Sequence, residues 1–155
     1  MGFFENVLPA QTGLRPITQE RLKESLERLE LTYEQDPAGE LTVFLPLGSL
    51  NLLLARQLGL DVLSLRGSWR GTLPLDFLGT AQELTNYWNQ NRPFLKAFPY
   101  RWEEGGQVSL IMPVDMSVPY AGGATDEQLD EHIGTALQLA QEYFSLLTET
   151  FSEEK

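Results

Sequence analysis

His132 is the only histidine of the chain, and it sits beside Asp126, Glu127, Asp130 and Glu131. An imidazole among carboxylates is the raw material of general-base catalysis or of metal ligation. The surrounding pattern supplies neither. With no second histidine and no cysteine, a zinc-type site has no nitrogen or sulfur ligands to complete it. A calcium loop needs oxygen ligands alternating around a glycine, and no such loop occurs. The four acids have a simpler use, since negative side chains are favoured at the positive end of a helix. Gly105-Gly106 and Gly122-Gly123 are too short to cradle a phosphate and read as turn residues. The serines are scattered, no GxSxG elbow is present, and only one histidine is available as a base. No catalytic, cofactor-binding or metal-binding residue is therefore assigned. A carboxylate pair formed only in space would leave no spacing to read.

The helix that carries these residues is the longest coherent pattern in the sequence. Thr125-Asp126-Glu127-Gln128 is a capping box, which gives the helix a defined start. Leu129, Ile133, Ala136, Leu137, Ala140, Phe144, Leu147 and Phe151 then recur at steps of three and four as one apolar stripe. Such a stripe must be buried on a sheet, on another helix or on another subunit. His132 lies beside it rather than within it, which predicts a boundary position.

Upstream, Pro9, Gly13 and Pro16 break any periodicity, so residues 1–16 read as an irregular arm whose aromatics pin onto the domain. Thr18 is the N-cap of a first helix, with Ile17 stapled to Leu22 and with Leu26 and Leu29 on the same side. On its wet side, Lys23/Glu27 and Glu24/Arg28 are spaced to pair. Leu31–Gln35 and Glu40–Leu45 flank the turn-forming Asp36-Pro37-Ala38-Gly39 as a hairpin. Ser49 to Leu60 fits a short helix or a strand equally well. Val62 to Trp69 alternates as a strand. Pro74 and Asp76 introduce a second helix through Ala81, Leu84 and Trp88, and Pro93 ends it. Phe98, Tyr100 and Trp102 alternate along a strand, Gly105-Gly106 turns, and Val108 to Val114 alternates again, with Pro113 marking an edge or a bulge. Pro119 to Gly123 reads as a flexible lead into the last helix, and residues 152–155 as a frayed tail. The expected architecture is α+β: a single domain over residues 17–151, with an antiparallel sheet of about five strands flanked by helices.

The chain carries 11 basic and 22 acidic residues, for a net charge of -11. That balance disfavours nucleic acid and anionic membranes as partners, because phosphate neutralisation dominates their affinity. No signal peptide and no long apolar run is present, so the expectation is a soluble, cytoplasmic protein. Between residues 51 and 101, however, Arg56, Arg66, Arg70, Arg92, Lys96 and Arg101 outnumber three acids. Interleaved with them are Trp69, Tyr87, Trp88, Phe94, Phe98, Tyr100 and, directly after Arg101, Trp102. Aromatics with arginine suit a protein-binding surface; single-stranded nucleic acid uses the same mixture, but the net charge opposes it. The basic region can equally serve the chain's own acidic helices.

Several of these residues, taken in order, resemble the YbjN-domain family of bacterial proteins. They are Trp69 before Leu73-Pro74; Asn86-Tyr87-Trp88-Asn89 closing the second helix; Lys96-Ala97 opening a strand; Gly105; and Gly123-Ala124-Thr125-Asp126-Glu127-Gln128-Leu129. The resemblance spans about residues 17–151. It departs at Pro93-Phe94-Leu95, where the family often has proline directly before the lysine, and residues 1–16 and 46–60 have no clear counterpart. It implies a fold similar to type III secretion chaperones, which are homodimers that bind segments of other proteins, and it favours the strand alternative for residues 50–58. Family members are described as sensory-transduction or stress-linked regulators without an assigned enzymatic activity.

The resulting expectation is a non-enzymatic, chaperone-like adaptor that forms a homodimer and binds another protein or peptide segment, with no cofactor. Its partner or dimer interface would draw on Trp69, Arg70, Arg92, Phe94, Lys96 and Arg101 from the central region. Leu137, Phe144, Leu147 and Phe151 would add part of the helical stripe. The alternative is a small-ligand sensor with a pocket between the last helix and the sheet.

Overall fold

The computed structural model describes residues 13–152. Helix α1 spans Gln19–Arg28, capped by Thr18, whose hydroxyl accepts from the Arg21 N–H. Ile17 and Leu22 are both buried, as a hydrophobic staple requires. A four-strand meander follows: β1 (Tyr33–Gln35), β2 (Leu41–Leu45), β3 (Gly48–Gln57) and β4 (Leu60–Trp69), each antiparallel to the next. The ambiguous stretch is thus a strand. Leu58 and Gly59 decide it, because both adopt positive φ, 52° and 77°, as a tight two-residue hairpin turn demands.

After the short β5 (Leu73–Pro74) and a 3₁₀ turn at Leu75–Phe77, helix α2 spans Leu78–Asn91. Then come β6 (Lys96–Ala97), β7 (Tyr100–Glu104), β8 (Gln107–Ile111), β9 (Val114–Tyr120) and helix α3 (Asp126–Phe151). The main sheet has six strands in the order β1-β2-β3-β4-β9-β6, and a second sheet has three, β5-β8-β7. The main sheet has one strand more than the expected five or so, and β9 is the strand whose alternation the sequence conceals, since Pro113 and Pro119 lie at its two ends. Met112-Pro113 carries the chain from the small sheet to the main one, where β9 pairs with β4 from Gly67↔Val114 to Asp61↔Tyr120. Pro119 is tolerated inside β9 because β6 pairs only with Val114 and Asp115, so Pro119 has no partner strand on that side. The stretch from Lys96 to Trp102 is two strands, and Phe98 lies between them. Of the proposed arm and tail, residues 1–12 and 153–155 fall outside the described residues.

One face of the main sheet is covered. Leu41, Val43, Leu50, Leu52, Leu63, Leu65 and Val114 are buried against α1 and α3, together with Leu22, Leu26, Ile133, Ala140, Phe144 and Leu147. The ring of Phe144 reaches the sheet where two strands carry glycine. A Cβ added at Gly48 would stand 2.8 Å from the Phe144 ring, and one at Gly67 would stand 3.3 Å from it and 2.8 Å from Val114. Val114 and Ala140 close around the same spot and have little room to yield. Gly67→Ala is therefore expected to destabilise the protein by about 1–3 kcal/mol through overpacking, whereas Gly79→Ala, at an exposed helical position with open space around it, should not destabilise it; paired urea denaturation curves measure both.

Candidate functional site

The ten residues expected at an interface do not form one site. Phe144 and Leu147 are wholly buried, Phe151 is nearly so, and Leu137 is half-buried against the core. Phe144, Leu147 and Phe151 are consumed by this chain's own core and have almost no surface to offer a second subunit, whereas Leu137 keeps part of its side chain exposed. Trp69 is likewise engaged: its indole N–H donates to Thr148 Oγ1 at 3.0 Å, and its ring lies 6.5 Å from that of Phe151. Arg70 turns back on the β2–β3 connection, donating its backbone N–H to Leu47 O and its guanidinium to Pro46 O. Arg92 ties α2 to α3 through Glu142 at 3.1 Å, with its guanidinium 5.9 Å from the Trp88 ring centre. Arg56 pairs with Asp61, and Arg66 with Asp115. Much of the basic region thus serves the chain's own acids. Phe94, Lys96 and Arg101 remain exposed.

Phe94 is displayed by an unusual backbone. Its φ is +77°, and the Leu95 N–H donates to Pro93 O at 3.0 Å, so Pro93-Phe94-Leu95 is a γ-turn of the strained, positive-φ kind. The turn is held from both sides. Leu95 is buried and its carbonyl accepts from the Trp88 indole at 3.1 Å. The Asn89 side-chain amide meets Ala97 twice, accepting from its N–H at 2.8 Å and donating to its carbonyl at 2.9 Å.

The acids at the start of α3 are engaged by arginines of the N-terminal region. Buried Arg21 donates to Asp126 at 2.9 Å and to the carbonyls of Arg15, Pro16 and Ala124. Arg15 also pairs with Asp126, at 2.9 Å. Arg28 binds Asp130 through two nitrogens at 2.8 Å, and Ser25 donates to the same carboxylate at 2.5 Å. The expected Glu24/Arg28 pair gives way to this bidentate contact. The Arg21 hydrogen bond first, and the neighbouring arginines after it, hold Asp126 below its ordinary 3.8. Arg28 does the same for Asp130, with Ser25 assisting. His132 stands apart, its Nδ1 2.6 Å from the phenol oxygen of Tyr120. Burial pushes that phenol up to about 12, so it stays protonated near neutral pH, and the direction of the hydrogen bond follows the imidazole tautomer. Among the described residues, no group of three His, Asp or Glu side chains is placed to hold a metal ion.

The space between α3 and the sheet, expected to hold a pocket in the ligand-sensor alternative, is filled. Ala136, Ala140, Phe144 and Leu147 close on Leu50, Leu52, Leu63 and Leu65 with no exposed surface. Concavities lie elsewhere: an open groove of 600 Å³ between α2 and α3, bordered by Tyr87, Arg92 and Glu142, a 350 Å³ recess around Trp69, Leu73 and Phe151, and a 250 Å³ hollow on the opposite face of the main sheet beside Asn51, Leu53, Arg66 and Asp115.

Among the described residues, the uncovered face of the main sheet, opposite the helices, carries side chains that are exposed or part-exposed except at Val62. Its strand register aligns Thr42, Asn51, Arg66, Asp115 and Lys96 in one row across five strands. Asn51 donates to Thr42 and to Glu40, and Arg66 lies 3.3 Å from Asp115. Phe44 and Leu53, 58% and 40% exposed, stand on either side of this row. Sequence reasoning missed both, although alternation alone put them opposite the buried residues of β2 and β3. No helix among the described residues is long and apolar enough to cross a membrane.

Residues 18–149 match the family model YbjN, described as "Putative bacterial sensory transduction regulator". No curated protein matches the chain. Among solved structures, the fold is similar to the crystal structure of YbjN from E. coli, described as a "putative transcription regulator", with a TM-score of 0.69 and 11% identity over 88% of this chain and 96% of that one.

Two outcomes are expected from the site geometry. Asp126→Asn should lower stability at neutral pH by about 1–2 kcal/mol, a part-exposed carboxylate being screened. Because the folded-state carboxyl titrates below its unfolded value, its contribution is complete above about pH 5 and is lost as pH falls through the folded value. Thermal midpoints should therefore show a constant gap between wild type and variant above pH 5 that narrows in acid. Phe94→Gly should raise the midpoint, since glycine relieves the positive φ at a net gain of about 1 kcal/mol, and scanning calorimetry of the two proteins measures it.

Proposed function

The chain belongs to the YbjN family, and from that premise we propose that it is a non-enzymatic, chaperone-like adaptor in bacterial sensory transduction that works by binding another polypeptide on the uncovered face of its main sheet. The family description is that of a regulator, which fits recognition better than turnover. The observation that carries the proposal is the one-sidedness of the sheet. Helices cover the middle of one face, while the opposite face presents a polar row between two exposed apolar residues.

That arrangement suits an extended segment. Phe44 aligns with Ser49 and Leu53 lies four residues further along β3, so the two anchors are roughly 14 Å apart at the rise of a strand. Two apolar side chains of a bound segment would rest on them. Its polar groups would meet Thr42, Asn51, Arg66 and Asp115, whose side chains already have hydrogen-bonding geometry. Exposed aromatics in a polar setting are the residues from which interface hot spots are drawn. Lys96, one of the expected interface residues, closes the row at the β6 end.

Phe44→Asp combined with Leu53→Asp tests this directly. Both side chains are exposed, so the thermal midpoint should be retained, while partner proteins recovered by affinity capture with mass spectrometry should fall roughly tenfold or more. Recovery of the same partners at wild-type yield by the folded double variant would refute the proposal.

A further inference from the structure

Four strands lie at the ends of the two sheets, and three of them are short or blocked. β1 is only three residues long. At β6, the Asn89 side chain occupies both the N–H and the carbonyl of Ala97. β5 is two residues long and ends in proline, which has no N–H. β7 is different. It runs for five residues, pairs with β8 on one side, and has no strand partner on the other among the described residues. All five side chains are exposed, Tyr100 by 52% and Trp102 by 47%.

The hairpin turn sets which main-chain groups this edge offers. Gly105 and Gly106 have φ of 60° and 82°, the positive pair that a two-residue type I′ turn uses. In such a hairpin the flanking residues, Glu104 and Gln107, exchange both main-chain hydrogen bonds. Alternation then directs Glu104, Trp102 and Tyr100 towards β8, and leaves the N–H and carbonyl groups of Arg101 and Glu103 pointing outward.

We propose that a second copy of this chain adds antiparallel to β7 about a twofold axis at Trp102, joining two three-stranded sheets into one of six. Charge selects both the occupant and the register. With only Arg101 and Glu103 offering outward groups, a twofold pairing can set Arg101 against its own copy, Glu103 against its own copy, or Arg101 against Glu103. The first two place like charges directly opposite one another, which destabilises a strand pair. The third places opposite charges together twice and makes four main-chain hydrogen bonds. It also brings Trp102 against Trp102 of the partner subunit in the closely spaced position between those bonds. The exposed β7 edge, an invitation to indiscriminate pairing when left open, is thereby closed by the same sequence that creates it. This surface is separate from the uncovered face of the main sheet, so the dimer and the adaptor function can fail independently.

Sedimentation velocity across a micromolar concentration series, with circular dichroism to verify folding, tests the pairing in four proteins. Wild type should sediment as two chains. Arg101→Glu and Glu103→Arg, each alone, should weaken association roughly tenfold or more, because each turns two attractive contacts into repulsive ones. The double variant Arg101→Glu/Glu103→Arg should restore the dimer, since the swapped charges again face their opposites. A wild-type protein that sediments as one chain, a dimer indifferent to both single variants, or a double variant that does not recover association would overturn the proposal.

Discussion

Phe144 meets the main sheet over Gly48 and Gly67, and the rest of the molecule depends on that contact. A long helix cannot lie close to a sheet if an inward-facing aromatic ring rides on another side chain, and here two strands forgo a Cβ where the ring arrives. Ala136 and Ala140 bring the helix backbone close in the same way. Burial of the remaining stripe follows, and with it the coverage of one face of the sheet. Close packing then sets the asymmetry of the sheet: the stretch of β2, β3, β4 and β9 under α3, from Leu41 through Leu50 and Leu65 to Val114, is apolar and buried, and the opposite face keeps hydroxyls, an amide and an ion pair.

The residues through which the chain resembles its family carry latches rather than chemistry. Trp88 and Asn89 hold the segment after α2 through Leu95 and Ala97. Trp69 ties the end of β4 to α3 at Thr148. Gly123 has φ +83° and lets the Arg15 carbonyl approach within 2.2 Å of where its Cβ would be. With 11% identity to E. coli YbjN, the likeness speaks to fold alone.

The sequence disclosed its local features well. The capping box at Thr125 and Gln128 forms with both hydrogen bonds, and the α3 stripe is buried over its length apart from the half-buried Leu137. What it hid was long-range. The bonds from Arg21 to Asp126 and from Ser25 to Asp130 join residues 105 apart, so no window of sequence contains both partners. Dipole arguments explained the acids at the start of α3 without disclosing their arginines. The strand β9 was masked by Pro113 at its entrance and Pro119 near its end. An apolar stripe, finally, does not say what buries it, which is why Phe144, Leu147 and Phe151 could be read as interface residues when they are core.

Arg21 binds the carbonyls of Arg15, Pro16 and Ala124 together with the carboxylate of Asp126, and the Arg15–Ala124 bridge lies beside it. One guanidinium thus crosslinks the segment before α1, α1 itself and the lead into α3. None of these pieces can peel away while the others stay, because each would strand the same buried charge. The first described residues and the start of the last helix are thereby locked into one cooperative opening unit, although the usual expectation for a terminal segment is independent fraying.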